Sequence, residues 1–456
     1  SGMGGTGTVI ATIAAGVAQD ASSNTNTAST STDNTVTYDI TVPTVTINQA
    51  VGQVDPTNVS PINFTVVFSK SVTGFIGTDV VLSGTAGATT ATITGSGTTY
   101  NVAVSGMTGS GTVIATVPAN SAQDTAGNGN ANSTSTDNTV TYDITLPTVT
   151  INQAVGQADP TNASPINFTV VFSETVTGFA DLDVTLAGGA GATTAVVTGS
   201  GTTYNVAVSG MTASGTVIAS LAAGVATDTA GNLSTVSTST DNTVTFDNTA
   251  LTVTIDQAVG QADPTNASPI NFTVVFSKSV TGFTGADVKL TGTAGATTAV
   301  VTGSGATYNV AVSGMAGSGT VIAAVLAGGA QDASGNSNAA STSIDNTVLY
   351  DITLPTVTIN QAAAQVDPTN VSPINFTVVF SEPVTGLMNT DVVLTGTAGA
   401  TTVVLTGSGT TYNVAVSGMA GSGTVIATIP AGNALDTAGN GNANSTSTDN
   451  TVLYDI

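Results

Sequence analysis

"TYDITLPTVTI", residues Thr141 to Ile151, decides how this chain is built. It returns as "TYDITVPTVTI" from Thr37, as "TFDNTALTVTI" from Thr245 and as "LYDITLPTVTI" from Leu349, and the chain closes on "LYDI". Each copy joins two runs of alternating apolar and polar residues, the period of a β-strand. Between them a proline fixes φ and stiffens the passage. Near 249 the pair Ala250-Leu251 replaces Leu-Pro, which predicts a looser junction there. The segment thus reads as the last strand of one domain, a short hinge and the first strand of the next. Met3, Met107, Met211, Met315 and Met419 mark the interval, as do Asp55, Asp159, Asp263 and Asp367: 104 residues, with no insertion. A repeat of that length is domain-sized, so the array is a string of domains rather than a solenoid. Whole repeats occupy 41–144, 145–248, 249–352 and 353–456, and residues 1–40 are the back end of another.

The pattern inside a repeat is β throughout. In 41–144, "TVTI" (44–47), "INFTVVF" (62–68), "DVVLSG" (79–84), "TTATITG" (89–95), "TYNVAVSGM" (99–107), "GTVIATV" (111–117) and "NTVTYDI" (138–144) give seven strands. Gly, Asn, Ser and Pro separate them. Ile62, Phe64, Val66 and Phe68 share one face, Tyr100, Val102 and Val104 another, and Val140, Tyr142 and Ile144 are expected to point inward. Seven short strands in about 100 residues predict an all-β, immunoglobulin-like two-sheet sandwich, here in tandem. Residues 1–40 hold only the last two strands, and two strands alone are marginal in water. The expectation is an excerpt of a longer array. The alternative is a hairpin that completes a sheet in another molecule.

Composition narrows the chemistry. Only 7% of residues are charged, against roughly 25% in an ordinary domain. Lys70, Lys278 and Lys289 are the only cations, and the net charge is −24. That balance argues against nucleic acid and anionic membranes, and no apolar run is long enough for membrane insertion. Without His, Cys or Arg the usual general base, thiol nucleophile, zinc ligands and phosphate clamp are missing, so no enzyme activity is expected. Asp181 and Asp183 read as a solvated loop. Asn58, Asn162 and Asn63 match the glycosylation pattern, so glycans are possible partners.

In 145–255 the stretches "VVFSETVTGFADLDVTL", "SGMTASGTVIASL", "ATDTAGN" and "VTFDNTALTVTI" resemble the tandem bacterial Ig-like repeats of giant secreted adhesins and surface-layer-like proteins. The likeness runs along the whole chain. It implies an extracellular or cell-surface array, often rigidified by calcium at domain junctions. The candidate ligands are then the linker residues Asp143, Asp247 and Asp351, the turn residues Asp228, Asp332 and Asp436 (with Asp124 in the first repeat), and the "DPTN" residues Asp55, Asp159 and Asp263 (with Asp367 in the last). Sandwich topology places the first long loop of one domain and the last long loop of the next at facing poles, so Asp55 and Asp143 could meet Asp228. Calcium takes six to eight oxygens, which carboxylates, carbonyls and Asn supply. The alternative is structural: "DTAGN" and "DPTN" are ready-made turns. After "FS", where that family often carries Glu, the chain alternates Lys70, Glu174, Lys278 and Glu382. The lysines also admit a Lys–Asn cross-link or an ion pair with Asp.

Outward strand positions carry Thr, Ser, Asn, Ala and Val, without the charges that normally protect sheet edges. This favours packing against copies of the same chain. The expected function is an extracellular structural rod that assembles into a fibre, sheath or surface layer. The alternatives are an adhesin stalk that presents a distant head, and, third, a carbohydrate-binding array, which the lack of Trp disfavours.

Overall fold

The structure is a computed structural model and describes residues 2–456. By contact the chain divides into two compact units, 1–157 with 164–244, and 158–163 with 245–456. The first unit opens with an antiparallel pair, β1 (Gly7–Ile10) and β2 (Thr35–Tyr38). The first complete repeat follows with β3 (Val45–Gln49), β4 (Ile62–Thr73), β5 (Val81–Ser83), β6 (Thr90–Ser105), β7 (Gly111–Thr116), β8 (Gln123–Asp124) and β9 (Thr139–Tyr142). One sheet has the order β3-β4-β6, with β8 on the end of β4, and the other the order β5-β7-β9.

Alternation produces this directly. Ile62, Phe64, Val66 and Phe68 turn to one side of β4 and are buried, and Val113 and Ala115 of β7 close the core from the opposite sheet. The same columns in β1 and β2 face solvent: Val9 is 42% and Val36 69% exposed, whereas their counterparts Val113 and Val140 are fully buried. Phe68, Phe75 and Tyr100 meet edge to face with ring centroids 5.3–5.8 Å apart. The buried Tyr100 hydroxyl donates to Val72 O at 2.9 Å. Tyr100→Phe removes that buried bond and is expected to cost about 1 kcal/mol, read from the denaturant midpoint of the chain.

β6 is extended over 16 residues, which would span about 50 Å if straight. Yet Thr89 N donates to Ser105 O at 3.1 Å. The segment therefore folds back as a hairpin, and Gly95 and Gly97 (φ +110° and +71°) make the turn that side chains disfavour. These two arms are the strands expected at 89–95 and 99–107. β8 is an eighth, two-residue strand that the sequence pattern misses. Ile144 differs from expectation too: it is 45% exposed, because β9 ends at Tyr142 and the chain is already leaving the core.

The second unit repeats the plan. In 249–352 one sheet has Val253–Gln257, Ile270–Thr281 and Thr298–Ser313, and the other has Val288–Thr291, Gly319–Val325 and Thr347–Tyr350. The last repeat is alike, but its eighth strand shrinks to a single bridge, Thr385 to Leu435. Leu251 is fully buried where other repeats bury a proline, and its carbonyl accepts from Ala339 N as Pro43 O accepts from Ala131 N. The substitution thus keeps both the burial and the bond. Among the described residues no helix is long and apolar enough to cross a membrane.

Candidate functional site

The site is built at the ends of repeats, beginning with the turn "DTAGN". Asp228 Oδ1 accepts the N–H groups of Ala230 and Asn232, both at 2.8 Å, while Gly231 takes φ +97°. This is an Asx-type turn that ties the carboxylate to its own loop. The turn also faces the preceding repeat. Asn232 Nδ2 donates to Asp143 O at 2.9 Å, Asn58 N to Ala230 O at 3.1 Å and Asn58 Nδ2 to Asn232 Oδ1 at 3.1 Å. Asp143 is set by bonds from Ser110 Oγ and Thr145 N, each 2.9 Å from its Oδ1. The second unit has the same contacts, with Asn440 Nδ2 on Asp351 O at 2.8 Å and Asn336 Nδ2 on Asp247 O at 2.9 Å.

Into each joint reaches the residue after "FS", and here the repeats alternate. Lys70 Nζ lies 2.6 Å from Asp39 Oδ2, 3.1 Å from Asp124 Oδ2 and 2.6 Å from Thr41 O. Lys278 Nζ lies 2.7 Å from Asp247 Oδ2, 3.0 Å from Asp332 Oδ2 and 3.3 Å from Thr249 O. An ammonium thus sits among three oxygens. In the other two joints a carboxylate occupies that place. The carboxylate oxygens of Asp143, Glu174 and Asp228 all lie within 4.8 Å of one another, as do those of Asp351, Glu382 and Asp436.

The electrostatics follow. At the lysine joint the hydrogen bond from Lys70 holds the Asp39 carboxyl down at about 2, helped by Thr41 N–H, and Asp39 in turn raises Lys70. At the glutamate joints burial pushes Glu174 and Glu382 upward, and the neighbouring aspartates, Asp228 with Asp143 and Asp436 with Asp351, push further. For Asp143 burial works upward, but the bonds from Thr145 N–H and Ser110 Oγ leave it lowered. A depressed carboxylate contributes stability above its ordinary pKa of 3.8, and that contribution is lost as pH falls through the folded value. The raised lysine contributes below its ordinary 10.5. The Lys70–Asp39 ion pair is therefore expected to hold from about pH 4 to beyond pH 10 and to be lost near pH 2. Carboxyl NMR of Asp39 should titrate near 2; an ordinary midpoint would contradict the pairing.

Of the predicted ligands, the structure brings Asp143 to Asp228 and Asp351 to Asp436, and draws Asp247 and Asp332 onto Lys278. Asp55, Asp159 and Asp263 are in neither carboxylate group. Their Oδ1 atoms accept Thr141, Thr245 and Leu349 N–H, each at 2.9 Å, pinning the last strand of each repeat. Both lysines meet aspartate, so the geometry is an ion pair and not a Lys–Asn cross-link. Asp181 Oδ1 accepts Val197 N and Asp183 Oδ2 accepts Ala180 N, as loop braces. Asn58 spends its amide on Asn232, and Asn63 Oδ1 accepts from Asn101. What the sequence did not reveal is the asparagine that crosses the joint. Its constant place four residues after the turn aspartate is the only trace.

No protein family matches the chain by sequence, and no curated protein does. Among solved structures it is similar to invasin, described as a bacterial integrin-binding protein, at 14% identity and a TM-score of 0.34, over 85% of this chain and 76% of invasin's.

Proposed function

We propose that the chain is a non-catalytic structural array working outside the cell, whose repeats are locked end to end by charge. It packs with copies of itself into a fibre, sheath or surface layer. The observation that carries this is the joint. A side chain from one repeat caps a main-chain carbonyl of the last, beside a lysine or glutamate set among aspartates.

The two joint types call for different cations. In the lysine joints the ammonium fills the space between Asp39, Asp124 and Thr41 O. In the glutamate joints the corresponding oxygens face a third carboxylate, a hard, oxygen-only donor set that fits calcium. Asp143, Glu174 and Asp228 would hold one ion, and Asp351, Glu382 and Asp436 another, with water completing each shell. When bound, the ion supplies the positive charge that lysine supplies in the other joints.

Lateral packing draws on the edges. β5 ends one sheet, and the first arm of β6 ends the other. Neither bears a charge, and Val81 is 49% exposed. Uncharged open edges invite strand pairing. The only charge on the corresponding edges of the other repeats is Lys289. The second reading is a stalk, because the joints need no lateral neighbour. Electron microscopy of purified material, with and without chelator, separates them. Ordered filaments or sheets are expected, while isolated strings in calcium would overturn the assembly and leave the stalk.

A further inference from the structure

The first strand of each repeat has a second neighbour besides β4. Ala131 N donates to Pro43 O at 2.9 Å and Thr134 N to Val45 O at 3.1 Å. Further along, Ile47 N donates to Ser135 Oγ at 2.9 Å and Gln49 N to Asp137 O at 2.6 Å. Both residue numbers climb together, so the segment 131–137 runs parallel to β3, and it leads straight into β9. The chain enters the repeat along β3 and leaves along β9. At the exit Thr57 N donates to Thr141 O at 3.0 Å and Asp143 N to Thr57 O at 2.9 Å. All the complete repeats carry the four bonds. In the last one Ala443 N meets Pro355 O, Thr446 N meets Val357 O, Ile359 N meets Ser447 Oγ and Gln361 N meets Asp449 O.

We infer that each repeat is a tension-bearing clamp, held shut by the parallel bonding of its entry strand to its exit segment. Pulling the chain by its ends drives β3 one way and 131–142 the other, along their own axes. The four bonds then lie across the load and must stretch together. Had the two segments run antiparallel with their free ends side by side, the same pull would open the bonds one at a time. The serine hydroxyls at 135 and 447 are part of the ladder, supplying an acceptor where the backbone alone leaves a gap. The clamp lies within single repeats and does not depend on lateral assembly or on calcium.

The chain has no cysteine, so introduced cysteines give a handle of chosen direction. The full chain is pulled in a single-molecule force experiment, first by its ends and then through the exposed pair Val51→Cys and Thr136→Cys, which peels the ladder from one end. End-to-end rupture is expected at about fourfold higher force than peeling, because four bonds share the load, in steps of about 350 Å per repeat. Equal forces in the two directions would overturn the clamp. Thr134→Pro deletes one donor in one repeat only. It should lower a single end-to-end step by about a quarter and leave the other steps as internal controls. An unchanged trace would also refute the proposal.

Discussion

Glu174→Lys is expected to make the joint around Asp143 indifferent to chelation. In the wild-type chain calcium at 100 times its dissociation constant is expected to stabilise the joint by about 2.7 kcal/mol. For a domain of this size that is a fall of roughly 10 °C or more in melting temperature when chelator is added. The cause is local: without an ion, three carboxylates with oxygens within 4.8 Å of one another repel. A lysine at 174 would place its ammonium as Lys70 does, on two aspartates and a carbonyl oxygen. Glu174→Lys with Glu382→Lys should therefore melt at the same temperature with and without chelator. The reverse change, Lys70→Glu, should create a further calcium-dependent joint. Calorimetry across this set decides the matter, and a wild-type melt that ignores chelator would sink the calcium reading.

Phe64→Ala is expected to cost about 3–5 kcal/mol, a large part of the 5–15 kcal/mol that holds an ordinary domain together. Phe64 is fully buried near the start of β4, in the core between the two sheets. Its neighbours sit in rigid ladders on either side, so the space left by the ring cannot close. The damage should stay local. The core that contains Phe64 draws only on residues of 45–142, and those containing Phe272 and Phe376 draw only on their own repeats. Hydrogen exchange should show protection lost across 45–142 and kept at 253–350 and 357–454. Loss along the whole chain would mean that the repeats share one cooperative core.

The fold was almost wholly legible, for a reason visible in residues such as Ile62, Phe64 and Val66. A strand buried on one face writes its period directly into the sequence. Repetition at 104 residues then checks every reading several times over. The exceptions are short or marginal. Gln123–Asp124 is too brief to show a period, and Ile144 continues an alternation past the end of the structure that produced it.

The joints were legible in residue type and less so in partnership. Asp143 and Asp228 were expected to converge and do lie together with Glu174. Asp55 looked equivalent, yet its carboxylate turns back to the N–H of Thr141. Nothing in "DPTN" tells whether the aspartate faces its own last strand or the next domain, because both are set by loop geometry. The parallel ladder from Pro43 to Gln49 was invisible. Its partner segment, 131–137, has no alternation, being held by single backbone groups and one serine.

The alternation of lysine and glutamate is the feature to test first. Calcium binding to the full chain, measured by equilibrium dialysis at neutral pH, is predicted to saturate at two ions, one for each three-carboxylate joint. The variant with Glu174→Lys and Glu382→Lys should bind none. No saturable binding by the wild-type chain, or full stoichiometry retained in the variant, would contradict a cation held at those joints.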